Sequence, residues 1–142
     1  MAVKSHLIKD RLTEHLFNQL FYHSNQGRFV WLSASVTKTG GTDYTADGAW
    51  TDLDLSGDIS SRAGFVILSL EHKAGCNVAD RLMVRKNGEV AGQYPELKAQ
   101  VNAVVCTMFC ICAVDANREI EYYATDASST NIHILGYIEQ SG

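Results

Sequence analysis

The chain has 142 residues, 46% of them hydrophobic and 20% charged, a balance typical of one soluble globular domain. Its net charge is −4 and its Lys and Arg residues are scattered, so a nucleic-acid binder, which would show a basic face, is not expected. The amino terminus leads into an amphipathic segment without an apolar signal core, so a secretory signal is not expected. The apolar stretch Val104–Val114 is too short to cross a bilayer as a helix, so a membrane span is not expected either.

Residues 1–27 are predicted to form an amino-terminal anchor that contains one amphipathic helix, from Ser5 to His23. The apolar residues of this segment recur about every four positions, and Ser5 is placed to act as the N-cap. The apolar stripe must be buried against the domain's own sheet, a neighbouring subunit or a docking partner, and the sequence does not decide among these. Its members are Ile8, Leu12, Leu16, Phe17, Leu20 and Phe21.

Residues 28–142 show the two-residue alternation of β-strands and are predicted to form one β-sandwich domain. Strands are expected near Arg28–Val36, Trp50–Leu55, Phe65–Glu71, Arg81–Lys86, Glu89–Gly92, Val104–Val114, Glu119–Thr125 and Asn131–Ile138. About eight strands with no helical crossover between them indicate an all-β, antiparallel two-sheet sandwich, of the jelly-roll type.

Two connections in this region carry specific expectations. Asn87-Gly88 is the strongest hairpin signal in the chain and predicts that Arg81–Lys86 pairs with Glu89–Gly92. Val104–Val114 is apolar on both faces, which predicts a central strand that is covered on both sides. Chain proximity predicts that this strand pairs with Glu119–Thr125 across a short turn.

The cysteines are interpreted as unpaired. Cys106, Cys110 and Cys112 lie on the same face of one predicted strand, where parallel Cβ vectors suit a disulfide poorly. They are therefore interpreted as small core residues of a protein that folds in a reducing compartment. The alternative is that Cys76, in a predicted loop, pairs with one of them or cross-links two subunits. No metal or other cofactor is expected, because no His or second Cys pair lies at a chelating spacing.

No catalytic motif stands out, so an enzyme is not expected. His72 and Cys76 lie four residues apart but lack an orienting third group, and they are interpreted as ordinary surface residues. The segment Asp52–Asp58 resembles the start of a calcium loop, but Ala63 stands where the bidentate Glu belongs.

Several aromatic residues leave an alternative function open. Exposed aromatic rings stack on sugars, so the chain is alternatively a carbohydrate-binding module that recognises a host surface glycan. Its contact residues would be Trp50, Tyr44 and Tyr94. The competing interpretation, favoured for Trp50 and Tyr122, places these rings in the core or at a subunit interface.

Four short motifs, taken together, resemble a known class of protein. They are Trp50-Thr51-Asp52-Leu53-Asp54-Leu55-Ser56, the strand Phe65–Glu71, Arg85-Lys86-Asn87-Gly88 and Ile134-Leu135-Gly136-Tyr137. Over residues 41–142, their order and spacing resemble the small β-sandwich domains of tailed-bacteriophage virions, which occur in tail fibres, head fibres and capsid-decorating proteins.

The resemblance implies a non-enzymatic virion protein that folds in the host cytoplasm and self-associates, often as a trimer. It further implies docking on capsid or tail components, for which the amino-terminal segment is the candidate anchor. The family has no catalytic residues to carry over. A cytokine-like trimeric receptor ligand on a jelly roll is a third interpretation, disfavoured by the lack of a signal sequence and of a disulfide framework.

Overall fold

Strands dominate the computed structural model, which describes residues 27–140. They are β1 (Arg28–Thr39), β2 (Thr51–Asp54), β3 (Ala63–His72), β4 (Arg81–Lys86), β5 (Glu96–Lys98), β6 (Cys106–Ala113), β7 (Glu119–Ala124) and β8 (Thr130–Glu139), with a 3₁₀ turn at Ala127–Ser129. Within residues 27–140, no helix has the length and apolar character needed to cross a membrane. The predicted helix Ser5–His23 lies outside the described residues.

The strands form two four-stranded antiparallel sheets. Sheet I has the order β1-β8-β3-β6, and sheet II has the order β2-β7-β4-β5. Every connection except that between β4 and β5 passes from one sheet to the other. The prediction of an all-β fold with eight strands in two antiparallel sheets is confirmed.

The hydrophobic core lies between the sheets, where alternate residues of each strand point inward. Sheet I contributes Val66, Leu68, Leu70, Ile132 and Ile134, and sheet II contributes Leu53, Leu82, Val84, Ile120 and Tyr122. Burying one such side chain contributes about 1.5–3 kcal/mol, so this layer is the main source of stability. The alternation seen in the sequence therefore corresponds to the inner and outer faces of real strands.

Strand β6 lies at the edge of sheet I, which corrects the prediction of a central strand covered on both sides. Among the described strands it pairs with β3 alone, from Phe65↔Ala113 to His72↔Cys106. Its inner face carries Cys110 and Cys112, which are buried in the core. Its outer face is open to solvent. The prediction was wrong because alternation shows that a face is apolar but does not show what covers it.

The predicted pairing of this strand with Glu119–Thr125 is also wrong. Strand β7 belongs to sheet II and pairs with β2 and β4. The turn between β6 and β7 carries the chain from one sheet to the other, with Arg118 in the left-handed region at φ 65°. The Asp115 Oδ1 atom accepts hydrogen bonds from the backbone N–H groups of Asn117 at 2.9 Å and Glu119 at 2.8 Å, which fixes this crossing.

The hairpin predicted at Asn87-Gly88 is not formed. The partner of β4 is β5, reached through a longer loop, and Glu89–Gly92 is not a strand. A type I′ hairpin turn needs a positive φ at both central residues, but only Gly88, at 78°, has one. Asn87 instead donates its side-chain amide to Asp115 at 3.1 Å and Glu119 at 3.0 Å, which ties this turn to the start of β7.

Candidate interaction surface

The outward face of sheet II is charged. Its register places Glu121 between an acidic neighbour, Asp52 on β2, and a basic neighbour, Arg85 on β4. The Arg85 Nε atom lies 2.7 Å from Glu121 Oε2, and Arg81 Nε lies 2.8 Å from Glu96 Oε1. The Arg81–Glu96 pair is partly exposed, whereas little of the Arg85–Glu121 pair is open to solvent.

The outward face of sheet I has the opposite character. The strand register brings one continuous set of apolar residues to this side, with no charged side chain among them. We call this set the apolar outer face. Its members are Phe29 and Trp31 from β1, Gly136 and Ile138 from β8, Phe65 and Ile67 from β3, and Phe109, Ile111 and Ala113 from β6.

Large side chains of the apolar outer face are open to solvent. Trp31 is 57% exposed, Phe109 59% and Ile111 50%, and Phe65 is 39% exposed. Ile67, between Ile111 and Gly136 in the register, is fully buried. A contiguous exposed apolar patch of this kind marks a site of interaction, because scattered single residues are normal on a protein surface and an aromatic cluster is not.

The position of Trp31 depends on the glycine opposite it. A Cβ atom at Gly136 would lie 2.7 Å from the Trp31 ring and 2.4 Å from the Val30 carbonyl oxygen. The missing side chain therefore lets β1 and the indole approach β8 closely. The Phe29 ring packs at 5.2 Å from the indole, centroid to centroid. An exposed aromatic ring that is already held in place loses little conformational freedom when a partner covers it.

Polar groups border the apolar outer face at both ends. At one end, His133 is hydrogen-bonded to Thr37 Oγ1 at 2.8 Å and to Glu71 Oε2 at 3.3 Å, and Asn131 donates to Glu71 Oε1 at 2.7 Å. At the other end, Arg28 pairs with Glu139 at 3.3 Å. An apolar centre with a polar rim is the usual anatomy of a protein–protein interface.

Two of the three residues considered for sugar contact lie together. Trp50 and Tyr94 pack edge to face with centroids 5.1 Å apart. The Arg85 guanidinium lies 4.0 Å from the Trp50 ring centroid and 5.4 Å from that of Tyr94. A face of Trp50 is therefore occupied by the protein's own cation, which Glu121 holds in place.

The third residue, Tyr44, lies in the core and does not join that pair. Its ring packs 4.6 Å from the Tyr122 ring, and its hydroxyl is hydrogen-bonded to Thr130 Oγ1 at 2.7 Å. Burial raises the pKa of the Tyr44 hydroxyl, only partly offset by the bond to Thr130. With 4% of its surface exposed, Tyr44 offers no open face to a sugar.

The interpretation of His72 and Cys76 as surface residues is wrong, since both are buried. The His72 Nε2 atom is hydrogen-bonded to the Leu97 carbonyl oxygen at 3.0 Å. The Cys76 thiol donates to the Val104 carbonyl oxygen at 3.4 Å and is 2% exposed. Cys76, Cys106, Cys110 and Cys112 are all free thiols, which agrees with their interpretation as unpaired residues.

The remaining predicted contact residues, the stripe Ile8, Leu12, Leu16, Phe17, Leu20 and Phe21, lie outside the described residues. Among residues 27–140, no group of three or more His, Cys, Asp or Glu side chains is placed to hold a metal ion.

No protein-family model matches the chain. No curated protein matches it either. Among solved structures, the chain is similar to the PRD1 vertex protein P5, with 13% sequence identity and a TM-score of 0.46. The alignment covers 79% of this chain and 73% of the vertex protein.

Sequence reasoning missed the apolar outer face as a surface. The alternation around Trp31 predicts a strand but does not show that its outer side is open, and the composition around Phe109 and Ile111 predicts a strand that is covered on both sides. The available signal was the contrast between strands: Val104–Val114 is apolar on both sides, whereas the strand around Asp52 and Asp54 is charged on one side. Two-sided apolar character indicates either a central strand or an interface strand, and only the pairing separates these.

Proposed function

We propose that the protein is a non-enzymatic structural component of a bacteriophage virion, a decoration or fibre-type β-sandwich that self-associates as a trimer. The observation that carries the proposal is the apolar outer face of sheet I, with Trp31 and Phe109 both more than half exposed. A surface of this kind is costly to leave in water, and a protein that assembles has a use for it.

The strand order supports the finer prediction of a jelly roll. All chain neighbours except β4 and β5 alternate between the sheets β1-β8-β3-β6 and β2-β7-β4-β5, and eight strands in two facing sheets are characteristic of that architecture. The jelly roll occurs in viral capsid domains, which fits a virion role.

Three side chains capable of chemistry make contacts within the protein, although the buried His72 Nδ1 atom has no hydrogen-bond partner among the described residues. Arg85 pairs with Glu121, His72 with the Leu97 carbonyl oxygen and Cys76 with the Val104 carbonyl oxygen. These contacts stabilise the fold, and they support a structural role over a catalytic one. The carbohydrate-binding alternative has weaker support, because Arg85 covers Trp50 and Tyr44 is buried.

In this proposal the anchor segment, residues 1–27, docks on capsid or tail components. It precedes β1 directly, and its stripe from Ile8 to Phe21 supplies apolar side chains for the contact. The protein folds in the host cytoplasm and functions in the assembled virion.

Native mass spectrometry of the full chain tests self-association. We expect a complex of three copies of the 15.6 kDa chain at micromolar concentration, because an interface of standard size supports affinities in that range. Particles of the phage that encodes the chain, purified on a density gradient, should contain the protein in a fixed ratio to the capsid protein. A chain that stays monomeric at every concentration, or that is absent from particles, would contradict the proposal.

A further inference from the structure

We propose that the apolar outer face of sheet I is covered by a second copy of this chain and forms the subunit interface. The inference rests on the proposed self-association and adds the surface through which it takes place. The amino-terminal stripe was the earlier candidate for that contact, whereas the open sheet face belongs to the described domain.

The outward side of sheet I, with the apolar outer face at one part and polar groups at its border, has the size of a stable contact between copies. Strands of sheet I have from 8 residues in β6 to 12 in β1. Four strands spaced ~4.8 Å apart, rising ~3.3 Å per residue, cover on the order of 500–750 Å². One partner in a standard interface contributes about 800 Å². This area is that of the whole outward side of sheet I, so the apolar outer face together with its polar border supplies most of what one copy needs to bring.

The charge distribution selects this face for contact between identical copies. The chain carries a net charge of −4, so contact through an uncharged surface keeps the like charges of two copies further apart than contact through sheet II would. Sheet II turns carboxylates outward, including Asp52, Asp54 and Glu119. The apolar outer face has no charged member, and its aromatic anchors Trp31 and Phe109 are of the type that contributes most to binding.

One edge of β6 is paired with no other strand of residues 27–140, and this supports the same conclusion. The strand has the sequence Cys-Thr-Met-Phe-Cys-Ile-Cys-Ala, without the Lys or Pro that commonly protects an exposed edge from pairing with other chains. Val104 and Val105, which precede it, are 51% and 55% exposed. An unprotected apolar edge invites uncontrolled aggregation, and a specific contact with another copy removes that risk.

A charge placed in the face tests the inference. Phe109→Glu puts a carboxylate among apolar side chains that the second copy would desolvate. Val90→Glu is the matched control, because Val90 is 87% exposed in the loop between β4 and β5 and is not a member of the apolar outer face. We expect the wild type and V90E to remain assembled in native mass spectrometry, and F109E to be monomeric at concentrations that are at least tenfold higher than those at which the wild type assembles.

Two results would overturn the inference. In the first the chain still self-associates, and in the second it does not. If F109E assembles like the wild type and Leu16→Asp is monomeric, the amino-terminal stripe forms the contact. If the wild type is itself monomeric, and F109E loses thermal stability whereas V90E does not, the chain covers its own face. The proposal of self-association then fails as well. Circular dichroism confirms that F109E is folded, and Ile111→Glu, at a 50% exposed position of the same face, replaces it if it is not.

Discussion

Replacing Tyr122 by alanine should lower the free energy of unfolding by about 3–5 kcal/mol, the range for removing a buried aromatic ring. Tyr122 is 1% exposed and packs on Tyr44 between the two sheets. Its hydroxyl also accepts a hydrogen bond from the backbone N–H of Ala46 at 2.9 Å. The substitution therefore opens a cavity in the core and leaves a backbone donor without its partner. Urea denaturation followed by circular dichroism measures the loss.

The neighbouring Tyr123 provides a control for this prediction. It lies on the opposite face of β7, where its ring packs against Trp50 at 5.7 Å and is half-buried. Tyr123→Ala should cost about 1 kcal/mol, a typical value for a single substitution. Equal losses for the two variants would contradict the assignment of the core to the space between the sheets.

The protein should lose stability as the pH rises above the ordinary thiol pKa of 9.0. Burial raises the pKa of Cys110 to about 11, and burial with smaller effects of Cys110 and Glu89 raises that of Cys112 to about 12. Between pH 9.0 and these raised pKa values, the folded protein keeps thiol protons that the unfolded chain releases. The free energy of unfolding therefore falls with increasing pH across this window, and the thiol contribution is complete below pH 9.0.

Urea denaturation at pH 8, 9, 10 and 11 checks the alkaline effect, with the double variant Cys110→Ala, Cys112→Ala as the control. The variant should start less stable, because it loses two buried side chains, but its stability should change less from pH 9 to 11. A double variant with the same pH dependence as the wild type would show that the two thiols are not responsible.

Strands with one charged or polar side could be predicted from the sequence. Around Leu53, the alternation with Asp52 and Asp54 identifies both the strand and its inner face, and the structure places Leu53 in the core. The same holds for β4, whose predicted bounds, Arg81–Lys86, match the structure. Local periodicity suffices here because each residue's environment is set by its own strand.

Pairing and sheet position could not be predicted in the same way, because they depend on contacts distant in sequence. The pair β3 and β6 joins Phe65 to Ala113, and no local pattern encodes that choice. Proximity in the chain favoured a hairpin at Asn87-Gly88, but the bonds of Asn87 to Asp115 and Glu119 fix that turn differently. Tertiary contacts therefore outweighed turn propensity at this position.

For the apolar outer face, too, the character of the strands could be predicted from the sequence, but their pairing could not. The composition of Val104–Val114 indicated that both faces of the strand are apolar, and this is the property that an interface strand requires. Its location at the edge of sheet I, beside the exposed Phe65, became clear only from the register. The association of Arg85 with Trp50 was likewise not apparent, since 35 positions separate residues 50 and 85 in the sequence.

The fluorescence of Trp31 tests most directly whether other copies cover the apolar outer face. The chain has two Trp residues, so the variant Trp50→Phe leaves Trp31 as the only indole. Its emission is measured across a dilution series in which the mass of the complex is followed in parallel. We predict that assembly shifts the emission to shorter wavelength and protects it from acrylamide quenching, because the ring leaves water. Emission and quenching that stay constant while the mass changes would contradict burial of this face between subunits.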